Sequence, residues 1–288
     1  MEPCHNYFSV LFCCMWKFLE QLVMLVKNLV HFVEWKKISD GDMDQVLCQL
    51  VDWGIDALVA HPCWGMREQE LPGYLPELNR KFRLAGLNTP ACHAFWGKGY
   101  DLGYLSEEQK MDSLRQHSDF LLYLGSMGVK TYTLHPGFQK AQPIPEAVWR
   151  NLAANVELLL PAAEDAGIIL ALENGQEAAA DLEKLVDLIS GFKHSSLGLC
   201  FDSGHAHCYS GLGVSGALTL CSDQIVTCHL HDNDGSGDQH NPPGEGSIDW
   251  QAMIPALKKC PRLVHAETES GNWSEQSWRK FREVWAMD

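Results

Sequence analysis

Short apolar runs alternate with longer helix-like stretches from about residue 28 to the end of the chain. Alternation of this kind is typical of repeated βα units around a parallel sheet. Seven predicted strands end in a histidine or an acidic residue, and these ends are His61, His93, His135, Glu173, Asp202, His229 and Glu267. A first strand around Leu29–Trp35 would complete a set of eight.

Helices are predicted between these strands, near Asp42–Trp53, Glu68–Arg83, Glu107–Met127, Pro145–Ala166, Asp181–Ile189, Trp250–Lys259 and Ser274–Trp285. The glycine-rich stretch Gly211–Leu220 is not assigned to a helix. No linker, charge run or low-complexity tract divides the chain, so one domain is the simplest interpretation. The pattern and the length of 288 residues predict a (β/α)₈ TIM barrel over residues 28–288.

Residues 1–27 form an apolar N-terminal extension that the barrel pattern does not include. Lys17, Glu20 and Lys27 interrupt the extension, so no uninterrupted run is long enough to span a bilayer and no transmembrane segment is expected. The extension also lacks the basic start and cleavage site of a signal peptide. We interpret it as a helix packed on the barrel or as the product of an upstream start codon, with attachment to a membrane surface as the alternative.

Charge and cysteine usage restrict the class of partner. The 37 acidic and 22 basic side chains give a formal charge of −15, without a basic cluster, and this disfavours nucleic acid as a partner. The 11 cysteines contain no C-x-x-C pair and are scattered, which is typical of reduced thiols in a cytoplasmic protein. The sequence is compatible with a homo-oligomer as well as with a monomer.

The chemical character of the strand ends is the main functional signal. A barrel brings the carboxyl ends of all its strands to one face, where side chains from different strands converge. Charged groups in apolar surroundings are costly unless they are paired or bind a metal. One histidine in such a position, such as His61, is readily explained as a structural residue. Seven strand ends in succession that carry a histidine or an acidic residue predict a common site.

Three segments carry ligand-type residues at informative spacing. Glu173 closes the apolar strand of LALENGQ, and Asp202 and His205 lie three residues apart in CFDSGHAHC. His229 ends a strand and is followed by Asp238 and His240 in a loop rich in glycine and proline. Carboxylate oxygens together with imidazole nitrogens suit Zn²⁺ or Mn²⁺ better than Ca²⁺.

These residues resemble the xylose-isomerase-like TIM barrels, a family that includes sugar isomerases, sugar epimerases and endonuclease IV. The resemblance runs from about residue 40 to the end and rests on HPG, LEN, FDSGH, HLHDN, D-x-H, GEGSIDW and AET. Likeness to endonuclease IV implies up to three metal ions. His93 and His135 would bind the first ion, and Glu173 would bridge it to the second. Asp202, His229 and Glu267 would complete the second site. His205, Asp238 and His240 would bind the third ion.

Likeness to the ketose 3-epimerase branch implies a single Mn²⁺-type or Zn²⁺-type site. Its ligands would be Glu173, Asp202, His229 and Glu267, with the two glutamates also acting as acid and base. A metal on the substrate oxygens stabilises an enediolate, and two carboxylates on opposite faces of the carbon remove and return the proton. The chain is therefore expected to be a metal-dependent isomerase or epimerase of a small sugar or sugar phosphate.

The chain departs from both branches. Gln239 stands where endonuclease IV has Arg inside its D-x-H motif, and no insertion that could grip DNA is present. Gly235 and Ser236 occupy the stretch in which the epimerases have an Arg. Cleavage at abasic sites and a non-catalytic sugar-binding or metal-binding barrel remain as alternatives, together with dehydration by the same enediolate route. Trp96, His205 and His231 are the predicted substrate contacts, and His231 is alternatively a partner of the ligands or an additional ligand.

Overall fold

The computed structural model describes residues 29–38, 41–138, 143–271 and 274–288. Eight parallel strands form one closed barrel in chain order, from β1 to β8 and back to β1. The strands are β1 Leu29–His31, β2 Ala57–Ala60, β3 Asn88–His93, β4 Thr131–Leu134, β5 Ile169–Glu173, β6 Leu197–Asp202, β7 Ile225–Leu230 and β8 Ala266–Thr268. The TIM barrel expected from the sequence is confirmed.

Helices connect the strands and surround the barrel. They are α1 Met43–Asp52, α2 Pro62–Glu70, α3 Tyr74–Ala85, α4 Glu107–Met127, α5 Glu146–Ala166, α6 Ala179–Phe192, α7 Ser203–Cys208, α8 Gly213–Cys221, α9 Trp250–Leu257 and α10 Glu275–Trp285. None of these described helices is long and apolar enough to cross a bilayer. The predicted extension over residues 1–27 lies outside the described residues.

Alternation along each strand separates the barrel interior from the layer under the helices. On β2, Ala57 and Val59 form a small inner cluster with Val30 and Ala91, whereas Leu58 belongs to the large core between strands and helices. Successive side chains of a strand point to opposite faces, so residues two apart share one face. The inward-facing residues near the strand ends therefore project towards one another at the mouth of the barrel.

The predicted helix Glu68–Arg83 is two helices in the structure. Leu71, Pro72 and Gly73 separate α2 from α3, and Gly73 has a φ of 93°, which only glycine adopts readily. The buried Glu68 carboxylate accepts hydrogen bonds from the backbone N–H groups of Gly73 (2.8 Å) and Leu75 (2.7 Å). The break is thus stabilised by a side-chain cap that the apolar pattern does not reveal.

The stretch Gly211–Leu220, which the sequence analysis left unassigned, is helical from Gly213 onwards. Val214, Ala217 and Leu218 of α8 are buried, and the helix packs on α6, α7 and α9. Burial of this apolar face compensates for the low helix propensity of Gly213 and Gly216.

Candidate metal centre

Four side chains at the ends of β5, β6, β7 and β8 form the core of the site. Glu173, Asp202, His229 and Glu269 each offer one ligand atom, and these atoms lie within 4.8 Å of one another. The Nδ1 atom of His229 is 3.0 Å from Glu269 Oε2, 3.3 Å from Glu173 Oε2 and 3.9 Å from Asp202 Oδ2. Three carboxylates and one imidazole therefore face a common point.

Three atoms of this group are buried and have no hydrogen-bond partner: Glu173 Oε2, His229 Nδ1 and Glu269 Oε2. Buried polar atoms are nearly always hydrogen-bonded, so such a cluster requires an explanation. A divalent cation among them would bind all three atoms at once, and this donor set suits Zn²⁺ or Mn²⁺. The residues present therefore fit the metal that the sequence predicts.

Glu269 is a residue that the sequence analysis missed, and it occupies the position expected for Glu267. The two glutamates lie on the same face of the chain, two residues apart, and Glu267 is level with His229 in the β7–β8 register. Glu267 is deeper in the barrel and contacts the opposite ring nitrogen, with Oε2 3.5 Å from His229 Nε2. It therefore lies outside the four-residue group. The two glutamates are two residues apart and therefore share one face of the strand, and this spacing is the sequence signal that could have identified Glu269.

The other predicted histidines lie around this core in a consistent orientation. The Nδ1 atoms of His93, His205 and His240 each lie 2.8–2.9 Å from a backbone carbonyl oxygen, of Ala94, Asn174 and Glu269 respectively. A carbonyl can only accept, so each Nδ1 carries the proton. Each Nε2 then keeps its lone pair for the site when the ring is neutral.

Asp238 joins two of these rings at the rim. Its Oδ2 atom is 3.3 Å from His205 Nε2 and 3.1 Å from His240 Nε2. Burial lowers the pKa of His240, but the hydrogen bond to Asp238 and the Glu269 carboxylate raise it to about 10. His231, His240 and Glu269 also form a group of the right spacing for a metal ion.

His93 and His135 approach the core from β3 and β4. His93 Nε2 is 3.9 Å and His135 Nε2 is 3.2 Å from Glu173 Oε2. His93, Glu173 and His229 form a further group of metal-ligand spacing. His135 also lines an open cavity that leads to Glu173 and His205, with walls formed by Asp101, Pro136, Gly137, Phe138, Gly175 and Gln176. This cavity gives the core access to the solvent.

Trp96 and His61 belong to the rim rather than to the core. Trp96 is 39% exposed, and its ring lies edge-on to His93 at 4.8 Å and to His61 at 5.7 Å. His61 Nδ1 accepts a hydrogen bond from the backbone N–H of Cys63 at the start of α2, which is a structural role. Trp96 is therefore placed where a substrate can touch it.

His231 is buried behind Asp202, in a position that a substrate cannot reach without rearrangement. Its Nε2 atom lies 3.1 Å from both Asp202 oxygens, and its ring stacks on His240 at 4.1 Å. A Cβ atom on Gly204 would lie 1.9 Å from the His231 ring, which explains the glycine of the FDSGH motif. His231 thus orients Asp202.

Asp232 fixes the loop that carries Asp238 and His240. Its carboxylate is fully buried and accepts hydrogen bonds from the backbone N–H groups of Asn233, Gly244 and Ile248 and from Trp250 Nε1. A Cβ atom on Gly246 would lie 2.3 Å from the Asp232 carboxylate, so this glycine allows the close approach. The GEGSIDW motif is therefore a loop anchor.

The electrostatics of the core favour ionised carboxylates. Burial raises the pKa of Glu173, but the imidazoles of His229 and His135 lower it well below its usual range. Burial also raises the pKa of Glu269, whereas His229 lowers it. Burial lowers the pKa of His229, but the Cys200 thiol and the carboxylates of Glu269 and Glu173 raise it well above its usual value.

The family model of the xylose isomerase-like TIM barrels matches residues 49–286. The chain therefore belongs to this family. Two curated relatives are the uncharacterized proteins MJ1311 of Methanocaldococcus jannaschii, 30% identical over 139 residues, and y4fM of Sinorhizobium fredii, 32% identical over 90 residues. These matches cover 44% and 31% of this chain, and 45% and 29% of the respective relatives, so less than half of either relative's length is spanned.

Solved structures share the fold over most of the chain. A D-tagatose 3-epimerase-like protein superposes with a TM-score of 0.73 at 18% identity, covering 89% of this chain and 96% of its own. The IOLI protein with a bound zinc atom has a TM-score of 0.71 at 18% identity, with the same coverage. The TTHB071 protein of Thermus thermophilus, soaked with ZnCl₂, has a TM-score of 0.69 at 22% identity, covering 90% of this chain and 98% of its own.

Proposed function

We propose that this chain is a divalent-metal-dependent isomerase or epimerase of a small sugar or sugar phosphate, acting by proton transfer through an enediolate. The observation that carries the proposal is the cluster of three unpartnered buried atoms, Glu173 Oε2, His229 Nδ1 and Glu269 Oε2. Sugar-processing names among the structural neighbours, such as 3-keto-D-glucoside 4-epimerase and D-psicose 3-epimerase, support the substrate class.

One ion, Mn²⁺ or Zn²⁺, would be held by Glu173, Asp202, His229 and Glu269. When bound, the ion supplies Lewis acidity that lowers the cost of removing a proton next to a carbonyl. Glu269 takes the place that the sequence analysis gave to Glu267, since Glu269 lies against His229 Nδ1, which faces the other carboxylates, whereas Glu267 lies against Nε2 on the far side of the ring.

Glu173 and Glu269 are the proposed acid and base. They come from β5 and from the end of β8, so a substrate in the mouth would lie between them. Each would remove or return a proton at a carboxylate oxygen, contributing roughly 10²–10⁴-fold. His135 lies 3.2 Å from Glu173 Oε2 and would hold that oxygen in position. Trp96 would contact the sugar, and His205 would bind a hydroxyl group.

The proposal is tested by exchange of substrate protons with solvent. Ketoses and ketose phosphates would be incubated in D₂O with the Mn²⁺-loaded protein, and incorporation of deuterium would be followed by NMR. We expect incorporation with one member of the panel, and a loss of at least about 100-fold in Glu173→Gln. The exposed Glu164→Gln serves as the control and should retain the rate. Absence of exchange across the panel would contradict the proposal.

A second candidate is a phosphodiesterase with several metal ions, because Asp238, His205 and His240 are placed so that they could hold an additional ion. Three zinc ions per chain and nicking of abasic duplex DNA would support it. A single ion and no nicking would remove it.

A further inference from the structure

A chain of polar groups descends from the metal centre into the barrel along β7 and β8. Glu267 Oε2 is 3.5 Å from His229 Nε2, and Glu267 Oε1 accepts a hydrogen bond of 2.6 Å from Thr227 Oγ1. The same Oε1 is 3.4 Å from His265 Nε2, which bonds Thr131 Oγ1 at 2.8 Å. TIM-barrel interiors are normally filled by branched apolar side chains, so this chain of contacts is unusual.

A carboxylate at this depth is costly. Glu267 is 1% exposed, and its described partners are a hydroxyl group and two imidazoles, with no lysine or arginine among them. Burial of a charge is unfavourable unless the charge is paired and hydrogen-bonded, and an apolar replacement is often as stable. Stability of the fold therefore does not account for Glu267.

His229 differs from the other histidines of the site. His93, His205 and His240 present Nε2 to the centre and donate Nδ1–H to a backbone carbonyl. His229 presents Nδ1 to the centre, so the nitrogen that needs an outer partner is Nε2. Glu267 Oε2 lies 3.5 Å from that nitrogen and has no hydrogen bond to any described residue, so it is available to the ring. The Cys200 thiol also lies beside His229, but a thiol is a weak acceptor.

We propose that Glu267 is a positioning residue for the metal centre: it holds the Nε2–H tautomer and the orientation of His229, and thereby keeps Nδ1 free to bind the ion. The inference rests on the metal site of the proposed function. Thr227 in turn fixes the carboxylate through Oε1. Carboxylates that orient a metal-binding histidine in this way typically contribute 10–100-fold to metal affinity.

The test separates a positioning residue from a ligand. Binding of Co²⁺ would be measured by competition with a chelator, and the visible spectrum of the Co²⁺ protein would report the ligand set. For Glu267→Gln we expect an affinity about 10–100-fold below that of the wild type, with an unchanged spectrum. For Glu269→Gln we expect a larger loss and an altered spectrum. Cys200→Ala should bind as the wild type does.

Three outcomes would overturn the inference: wild-type affinity in Glu267→Gln, an altered spectrum in that variant, or the same loss in Cys200→Ala. If Glu267→Gln does not fold, Thr227→Val and Thr227→Ser decide the question, since only the serine keeps the hydroxyl group. We expect weaker binding in the valine variant and recovery in the serine variant, and equal affinities would overturn the inference. Absence of Co²⁺ binding by the wild type would instead count against the proposed function.

Discussion

Two neighbouring walls of the barrel interior differ in the polarity of their side chains. The inner face of β1 and β2 is apolar, with Val30, Ala57 and Val59 in one cluster with Ala91 of β3. The inner face of β7 and β8 carries Thr227, His229 and Glu267, with His265 just before β8, all buried. Both walls belong to one closed sheet, so the backbone does not impose the difference. Polar groups are retained inside the barrel on the side that supports the proposed metal centre.

The histidines divide in the same way. Burial lowers the pKa of His31 to about 3, and burial, His93 and Lys36 lower that of His61 to about 3. Near β6–β8, carboxylates raise the pKa of His205 well above the usual value despite burial, and the Cys200 thiol together with carboxylates does the same for His229. His31 and His61, next to the apolar wall, are thus neutral packing residues, whereas His205 and His229 at the centre are paired with acids.

The largest difference is expected between substitutions at the metal centre and substitutions next to the apolar wall, in their effect on metal affinity. Glu173→Gln removes a negative ligand of the proposed centre and should weaken Mn²⁺ or Zn²⁺ binding by more than about 100-fold, beyond the effect typical of groups that only support a ligand. His61→Gln, at the corresponding end of β2, should leave affinity unchanged. Isothermal titration of the two variants checks this, and equal losses would contradict the proposed centre.

An exchange of isosteric side chains between the walls should be unfavourable in both directions. Val59→Thr buries a hydroxyl group without a partner, and Thr227→Val removes the donor of the 2.6 Å bond to Glu267. Each should lower the free energy of unfolding by about 1–3 kcal/mol. Urea denaturation of the metal-free proteins measures this free energy. A neutral Val59→Thr would show that the first wall also accepts polar groups.

The neutral histidines should make the protein less stable in acid. Burial lowers the pKa of His31 in the folded protein to about 3, against an ordinary value of about 6.5, so only the unfolded chain takes up this proton as the pH falls. Its contribution is complete above pH 6.5 and is lost below it, at about 1.4 kcal/mol per pH unit. His31→Gln should therefore show a shallower fall in the free energy of unfolding between pH 6.5 and 5.5. Parallel curves for the two proteins would contradict the assignment.

Much of this arrangement could be predicted from the sequence, because strand ends are local features and a closed parallel barrel brings them together. The seven predicted ends from His61 to Glu267 all lie at or next to the ends of β2–β8. Depth along the barrel axis could not be predicted in this way. Glu267 and Glu269 share a face, and only the contact of Glu269 Oε2 with His229 Nδ1, at 3.0 Å, shows which of the two belongs to the centre.

Contacts between distant segments could not be predicted from the sequence either. The close approach of Gly204 to His231, and the four donors around Asp232, depend on how loops from different βα units meet. The break between α2 and α3 depends on the buried Glu68 cap. Such features require coordinates, because the residues involved have no distinctive periodicity.

The central claim is that Glu173, Asp202, His229 and Glu269 surround one divalent ion. The most direct test is a crystal structure of the Zn²⁺-loaded or Mn²⁺-loaded protein with anomalous scattering recorded at the metal edge. We expect an anomalous peak about 2.0–2.3 Å from His229 Nδ1 and from an oxygen of each carboxylate. A fully loaded crystal without a peak at this point, or with the ion bound to Glu267 instead of Glu269, would contradict the account.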